Sequence, residues 1–289
     1  MMMNKTTKLR QLINREEILI APGVYDPYLA KLVQSAGFEA VYMTGAGVSH
    51  TGLGMPDLGL TTFSEMVDRA GRIADAVEIP VFADADTGYG NALNVIRTVK
   101  AYERAGVAGL HMEDQEMPKK CGHFDEKKVI PLEEMLGKLK AALDARSDPD
   151  FIIIGRTDAR TAVGFDEALE RAQAFAEVGV DMVFFESPLS EEELEKVGAS
   201  VNRPLLANMV ETGKTPLLPT ERLQEMGFNV AIFPGALGRF IGKQVMEFLR
   251  VFRAEGSTLS QVDKMLSFTE QNEIVGLPEM LSLAEKYRA

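Results

Sequence analysis

The chain has 289 residues, and 31 Lys+Arg against 43 Asp+Glu give a net charge of −12 and a pI near 4.9, a balance that argues against nucleic acid or an anionic membrane surface as partner. Its one cysteine, Cys121, excludes an internal disulfide and a Cys-rich zinc module, and His50, His111 and His123 are too few for a histidine-rich metal site. No apolar run approaches a membrane span and the N-terminal stretch carries no secretory pattern, so the expectation is a soluble, cytoplasmic protein; 46% hydrophobic content is ample for a buried core.

Short apolar runs recur at the spacing of α/β units: Ile18 to Tyr25, Ala40 to Gly45, Val81 to Asp86, Gly109 to Asp114, Phe151 to Ala159, Met182 to Ser187, Leu205 to Val210 and Val230 to Gly235. Between most of them lie amphipathic helical patterns such as FDEALERAQAFAEV. Four of these helices close on one formula, in which Gly37, Gly106, Gly179 and Gly227 are each followed by Phe or Val and then a strand. A glycine there is the expected left-handed helix cap, and its repetition marks one αβ unit used again and again. Near-continuous apolar strands alternating with helices imply a parallel sheet covered on both faces. Eight such units predict a (β/α)8 TIM barrel over 1–240, with the site at the C-terminal ends of the strands; a doubly wound open sheet is the alternative. Residues 241–289 read as a helical extension of the same domain, with apolar faces that need a partner subunit to cover them.

The strand ends carry the chemistry. After the second strand come Tyr42, Thr44, Gly45 and Ala46, a Gly-rich turn that lacks the third glycine of a dinucleotide fingerprint but has backbone N–H groups able to hold a carboxylate. Asp57 follows in the next loop, as a helix cap or an outer acid of the site. The third strand runs into Asp84 and Asp86, which period-two alternation places on one face with Ala85 opposite. The fourth gives His111 and Glu113; this H-x-E opens a zinc deaminase pattern whose two further cysteines are absent. Four acids at adjacent strand ends repel one another by several kcal/mol unless a cation sits among them, so Asp57, Asp84, Asp86 and Glu113 are expected to form a Mg²⁺ or Mn²⁺ site with mostly water-mediated ligation.

The stretch PKKCGHF follows, in a long connection before the next helix. A lone cysteine is ordinarily a small buried apolar residue. This one has Gly122 beside it and Lys119, Lys120 and His123 as neighbours, and cations lower a thiol pKa; Cys121, His123 and Lys119 are therefore catalytic candidates. The later strands end in Arg156 and Asp158, Glu186, Asn208 and Pro234, with Arg239 beyond. A guanidinium binds a carboxylate with two parallel hydrogen bonds, so Arg156 points to a carboxylate-bearing, oxygen-rich substrate, although an ion pair with Glu186 or Asp158 would also explain it. No predicted strand contains a lysine, which argues against a Schiff-base aldolase.

The motifs DADTGYGN, HMEDQ, KKCGH, GRTDAR and NMVETGKTP, in this order along essentially the whole chain, closely resemble those of the isocitrate lyase and phosphoenolpyruvate mutase superfamily. That resemblance implies a (β/α)8 barrel with a swapped C-terminal helix, assembled as a homotetramer, binding Mg²⁺ and a small di- or tricarboxylate. It makes Asp86 the direct metal ligand, with Asp57, Asp84 and Glu113 on the metal's waters. Thr44, Gly45, Ala46 and Arg156 would grip the carboxylate of the pyruvate-like part, Cys121 would be the acid on a closing loop, and Glu186, Asn208 and Arg239 would contact substrate. Lys214 and Thr215 of NMVETGKTP make the chain look like the branch that contains 2,3-dimethylmalate lyase. The expected reaction is metal-dependent cleavage of a 2-alkylmalate, 2,3-dimethylmalate foremost, to propionate and pyruvate. Methylisocitrate and oxaloacetate cleavage are the near alternatives; a carboxyphosphonoenolpyruvate-type phosphonomutase and a non-catalytic binding barrel are the rivals from other classes.

Overall fold

The computed structural model describes residues 3–124 and 126–288. Eight parallel strands close a barrel in sequence order: β1 (Leu19–Val24), β2 (Val41–Met43), β3 (Val81–Asp84), β4 (Gly109–Glu113), β5 (Ile152–Thr157), β6 (Met182–Phe185), β7 (Leu205–Asn208) and β8 (Val230–Phe233), with β8 pairing back onto β1. Each strand falls inside one of the apolar runs read from the sequence, and the open-sheet alternative is excluded by closure.

Alternation along the strands sorts the core into two layers. On β5, Ile152 and Ile154 enter the barrel interior with Phe82, Phe184, Leu206 and Ile232, while Ile153 faces the outer layer of helices. The helix Lys5–Ile13 plugs the N-terminal end of the barrel by setting Leu9, Leu12 and Ile13 into the inner layer. With that end filled, the open end is the one where the strands terminate, which is where the polar residues gather.

All four cap glycines have positive φ: Gly37 at 88°, Gly106 at 83°, Gly179 at 100° and Gly227 at 92°. An L-residue there meets its own carbonyl, whatever room surrounds it. Nothing lies within 4 Å of a Cβ built on Gly179, which isolates that strain from packing. Gly179→Ala is expected to lower unfolding free energy by about 1–2 kcal/mol with an unchanged denaturant slope, as read from urea melts.

After β8 the helix Ala236–Glu255 runs through position 240, so barrel and extension share one element; a 3-10 turn Leu259–Lys264 and the helices Phe268–Ile274 and Leu277–Lys286 follow. None of these four elements buries a residue, and Phe240, Met246, Phe268 and Met280 are among the large apolar side chains left exposed. An open apolar groove on the barrel wall, lined by Leu29, Leu32, Phe38, Leu217 and Leu237, lies between the helices Pro27–Ser35 and Thr220–Glu225. Exposed apolar surface of this extent marks a docking face. Among the described residues, no helix is long and apolar enough to cross a membrane.

Candidate active site

A cavity at the C-terminal mouth of the barrel is lined by Tyr42, Thr44, Asp84, Cys121, Arg156 and Asn208 among others. Of the catalytic, substrate and metal residues expected there, Gly45, Asp86 and Glu113 lie behind this lining; every other one is part of it.

The turn after β2 is built around Asp84. Thr44 caps the short helix Gly45–Val48, its Oγ1 accepting the Gly47 N–H at 3.3 Å, and the Gly45 N–H donates to Asp84 Oδ2 at 3.2 Å. A Cβ at Gly45 would collide with that carboxylate oxygen, so glycine is what allows the turn to close on it.

The expectation that Asp84 and Asp86 alternate on one strand face needs correction. β3 ends at Asp84, and Asp86 sits at φ 47°, in the left-handed region. Its own N–H donates to Asp84 Oδ1 at 2.9 Å, which turns the chain at that point. The two carboxylates consequently have different surroundings. Asp84, His111 and Glu113 each bring one ligand atom to within 4.8 Å of the others, all three buried. Asp86 instead faces Lys119, whose ammonium lies 2.7 Å from Asp86 Oδ1 and 2.6 Å from Asp57 Oδ1. Part of the repulsion among the acids is thus relieved by the chain's own lysine. Burial still outweighs Lys119 at Asp86 and pushes its carboxyl up to about 6.

The donor set suits a hard divalent cation. Carboxylate oxygens dominate it, and Glu113 Oε2 is buried with no hydrogen-bond partner, its other oxygen accepting from Gln115 Nε2 at 2.9 Å. Burial, only partly offset by Arg156, holds the Glu113 carboxyl well above the usual range. His111 enters the cluster as a neutral imidazole: burial lowers it to about 4, and its Nε2 is 2.7 Å from the Tyr42 hydroxyl. A depressed imidazole pKa contributes stability that is present above the unfolded value near 6.5 and lost as pH falls through about 4. His111→Gln is expected to flatten the stability–pH curve over that window by about 3 kcal/mol, as measured by denaturation at pH 7 and pH 4.

Arg156 stands at the end of β5 with three carboxylates around it. Its Nε and Nη2 donate to Asp158 at 2.8 and 3.1 Å, Nη2 is 3.2 Å from Glu186 Oε2, and Nη1 is 3.4 Å from Glu113 Oε2. The guanidinium also lies 4.8 Å over the Phe184 ring. Both ion pairs foreseen for it exist, and they aim it into the cavity rather than remove it from use. Glu186 is held in turn by Asn208 Nδ2 at 3.0 Å and faces His123 Nε2 at 3.4 Å. Arg239 is at the rim, half exposed, with Nη1 donating to the Glu211 backbone oxygen at 2.6 Å.

The loop bearing Cys121 lies across this assembly. The Cys121 N–H donates to the Asp57 backbone oxygen at 3.2 Å, a Cβ on Gly122 would overlap Arg156 and Glu186, and His123 Nδ1 accepts the Lys214 N–H at 3.0 Å. The two loops singled out in the sequence, KKCGH and NMVETGKTP, therefore touch. The thiol corrects another expectation: it is pushed up, not down, by burial and by the nearby Asp57 and Glu186 carboxylates. Lys119 is turned away to its two aspartates, and burial lowers the His123 pKa, so neither of these two serves the thiol as the expected cation. The raised thiol faces the cavity.

Sequence reasoning missed Lys127 and Ser187. Lys127 reads as surface charge in the run EKK, yet its side chain is fully buried; Ser187 carries no signal beyond its place after Glu186.

The family model described as phosphoenolpyruvate phosphomutase matches residues 9–252. The chain belongs to that family. Within the phosphoenolpyruvate phosphomutase family it is 46% identical to the 2,3-dimethylmalate lyase of Eubacterium barkeri, over 99% of each chain. It is 44% identical to the 2-methylisocitrate lyase of Aeropyrum pernix, over 93% of this chain and 86% of the other. The crystal structure of a 2,3-dimethylmalate lyase, described as a PEP mutase/isocitrate lyase superfamily member, superposes with a TM-score of 0.92 at 36% identity, covering 99% of this chain and 96% of that one. The resemblance drawn from the motifs is borne out, as is the barrel.

Proposed function

We propose that this chain is a divalent-metal-dependent carbon–carbon lyase that cleaves a 2-hydroxy dicarboxylate of the 2-alkylmalate type, 2,3-dimethylmalate foremost, to propionate and pyruvate. The observation that carries the reading is a single cavity lined by the half-buried Cys121 thiol, which burial pushes up, by the Arg156 guanidinium and by Asp84, whose carboxylate groups with His111 and Glu113 behind it. Full-length likeness to a dimethylmalate lyase supports the choice of substrate.

Arg156 and the Thr44–Ala46 turn hold the carboxylate of the half that becomes pyruvate. Asp57, Asp84, Asp86 and Glu113 would hold the metal, Mg²⁺ or Mn²⁺, with Lys119 released from its aspartates. When bound, such an ion supplies Lewis-acid polarisation of the substrate oxygens and charge neutralisation. A base takes the proton of the substrate hydroxyl and the C2–C3 bond breaks; its electron pair goes to C3 and is delocalised into the carboxylate there, while C2 becomes the keto carbon. Cys121 gives its thiol proton to that C3 carbanion, yielding propionate, and the thiolate recovers a proton afterwards. Loop closure excludes water from the carbanion.

The test is keto-acid release from 2,3-dimethylmalate, 2-methylisocitrate, isocitrate, citramalate and oxaloacetate (oxalate release for the last) with Mg²⁺ present. Turnover of 2,3-dimethylmalate above the others supports the proposal; silence on every carbon substrate together with phosphonate turnover overturns it. EDTA is expected to abolish turnover, with Mg²⁺ or Mn²⁺ restoring it, and Asp86→Asn to weaken Mn²⁺ binding in calorimetry by at least about tenfold. Assembly is proposed as a cytoplasmic homotetramer in which the C-terminal helices cover a neighbour's apolar groove, for which light scattering is the check.

A further inference from the structure

Lys127 is the buried ammonium that the chemistry above does not use. Its side chain is fully buried while its neighbour Lys128 is exposed, so burial is specific to this position and not to the loop. The Nζ lies 2.7 Å from Asp158 Oδ1, itself fully buried, and donates to the backbone oxygen of Gly122, the residue that follows Cys121. Ser187 Oγ lies 3.2 Å from the same carbonyl, and Ser187 holds a left-handed φ of 56° while buried between Glu186 and the loop. Arg156 holds the same carboxylate, Nε on Oδ2 and Nη2 on the Oδ1 that Lys127 also meets.

One carboxylate therefore joins the guanidinium that faces the cavity to the ammonium that grips the loop over it. Burying a lysine is strongly unfavourable unless its charge is paired and its protons are used. Here both conditions are met only with Gly122 in place, because the ammonium donates to that carbonyl as well as to Asp158. We infer that Lys127 is a positioning residue, a latch that secures the Cys121 loop in its closed place through the Gly122 carbonyl and, through Asp158, ties that closure to the orientation of Arg156. It rests on the reading of the Cys121 loop as a lid that carries the acid. Ser187 is a weaker second hold on the same carbonyl, because its single hydroxyl proton is shared with Glu186 Oε1 at 2.9 Å.

Because Cys121 is the only thiol in the chain, its alkylation by iodoacetamide reports the loop without a label. Full-length wild type is compared with Lys127→Met, Lys127→Arg and Ser187→Ala, each alone and with Mg²⁺ plus oxalate, a planar stand-in for the α-keto carboxylate of pyruvate. In Lys127→Met, alkylation in the presence of Mg²⁺ and oxalate is expected to speed up by at least about tenfold, as loss of a hydrogen bond from a charged group predicts. Its kcat on the best substrate of the panel falls by at least about tenfold with KM within about threefold. Lys127→Arg recovers part of both, and Ser187→Ala moves both in the same direction by less. A folded Lys127→Met with wild-type alkylation and wild-type kcat overturns the latch, as does a variant that loses stability alone. Should Lys127→Met not fold, Ser187→Ala decides: unchanged alkylation overturns the inference. Failure of the lyase reading shows itself separately, as wild type inert on every carbon substrate while the alkylation comparison still stands.

Discussion

Cys121→Ser is expected to lower kcat by about 10²–10⁴-fold, the range that a positioned general acid contributes, with KM changed by no more than a few-fold. The substitution exchanges sulfur for oxygen in a side chain whose surroundings already hold it protonated, so shape and hydrogen bonding survive. What is lost is acidity: a serine hydroxyl gives up its proton far less readily than a thiol, and the C3 carbanion is left waiting. In the proposed reading substrate binding rests on Arg156 and the Thr44–Ala46 turn, which the exchange of one atom at Cys121 does not disturb. Steady-state kinetics with a thermal melt beside them decide it. A variant with wild-type kcat and a raised KM would show that Cys121 packs against substrate and transfers no proton.

Arg156→Lys has the other large effect, and it divides into two parts. A lysine keeps the charge but not the planar fork, so it cannot serve Asp158 through two hydrogen bonds while facing Glu186, Glu113 and a substrate carboxylate. kcat/KM is expected to fall by about 10³-fold or more, most of it in KM, because the lost fork is the proposed carboxylate grip. Stability should fall by about 1–3 kcal/mol, the cost of leaving part of a buried polar cluster unsatisfied. Arg156→Ala removes the charge as well and leaves Glu186 and Glu113 without it; its loss is expected at about 3–5 kcal/mol, with Lys127 still partnering Asp158. Urea melts of the two variants separate the structural share from the binding share. Equal stability losses in both would mean that geometry, and not charge, is what the three carboxylates require.

The pH behaviour of the site follows from the same enclosure. Asp86, pushed up to about 6, has a folded value above its unfolded one, so in the absence of metal its contribution to stability is present at acid pH and lost as pH rises through about 6. The proton and the proposed metal both relieve the same carboxylate. Stabilisation of the protein by added Mg²⁺ should accordingly be larger at pH 8 than at pH 5, a difference that melts at the two pH values read directly.

Much of this protein is legible in one dimension because the signals are local. Period-two and period-3.6 patterning set the strands and helices, Gly37, Gly106, Gly179 and Gly227 close the units as their positive φ requires, and eight repeats of that unit imply closure. The residues at the strand ends are equally readable, since a barrel delivers whatever follows each strand to one mouth; of the catalytic, substrate and metal residues expected there, all but Gly45, Asp86 and Glu113 line the cavity. What a residue does at that mouth is set by neighbours far away in sequence and by burial. Asp86 leaves the strand because its amide is captured by Asp84; Lys119 is drawn from Cys121 to Asp57, 62 residues away; the thiol is raised instead of lowered; and Lys127, a surface charge by composition, becomes a buried hold on the loop. Chain order decided which groups reach the site, through backbone periodicity, while the tertiary structure alone decided their protonation and their partners, because desolvation and Coulomb energy depend on distance in space.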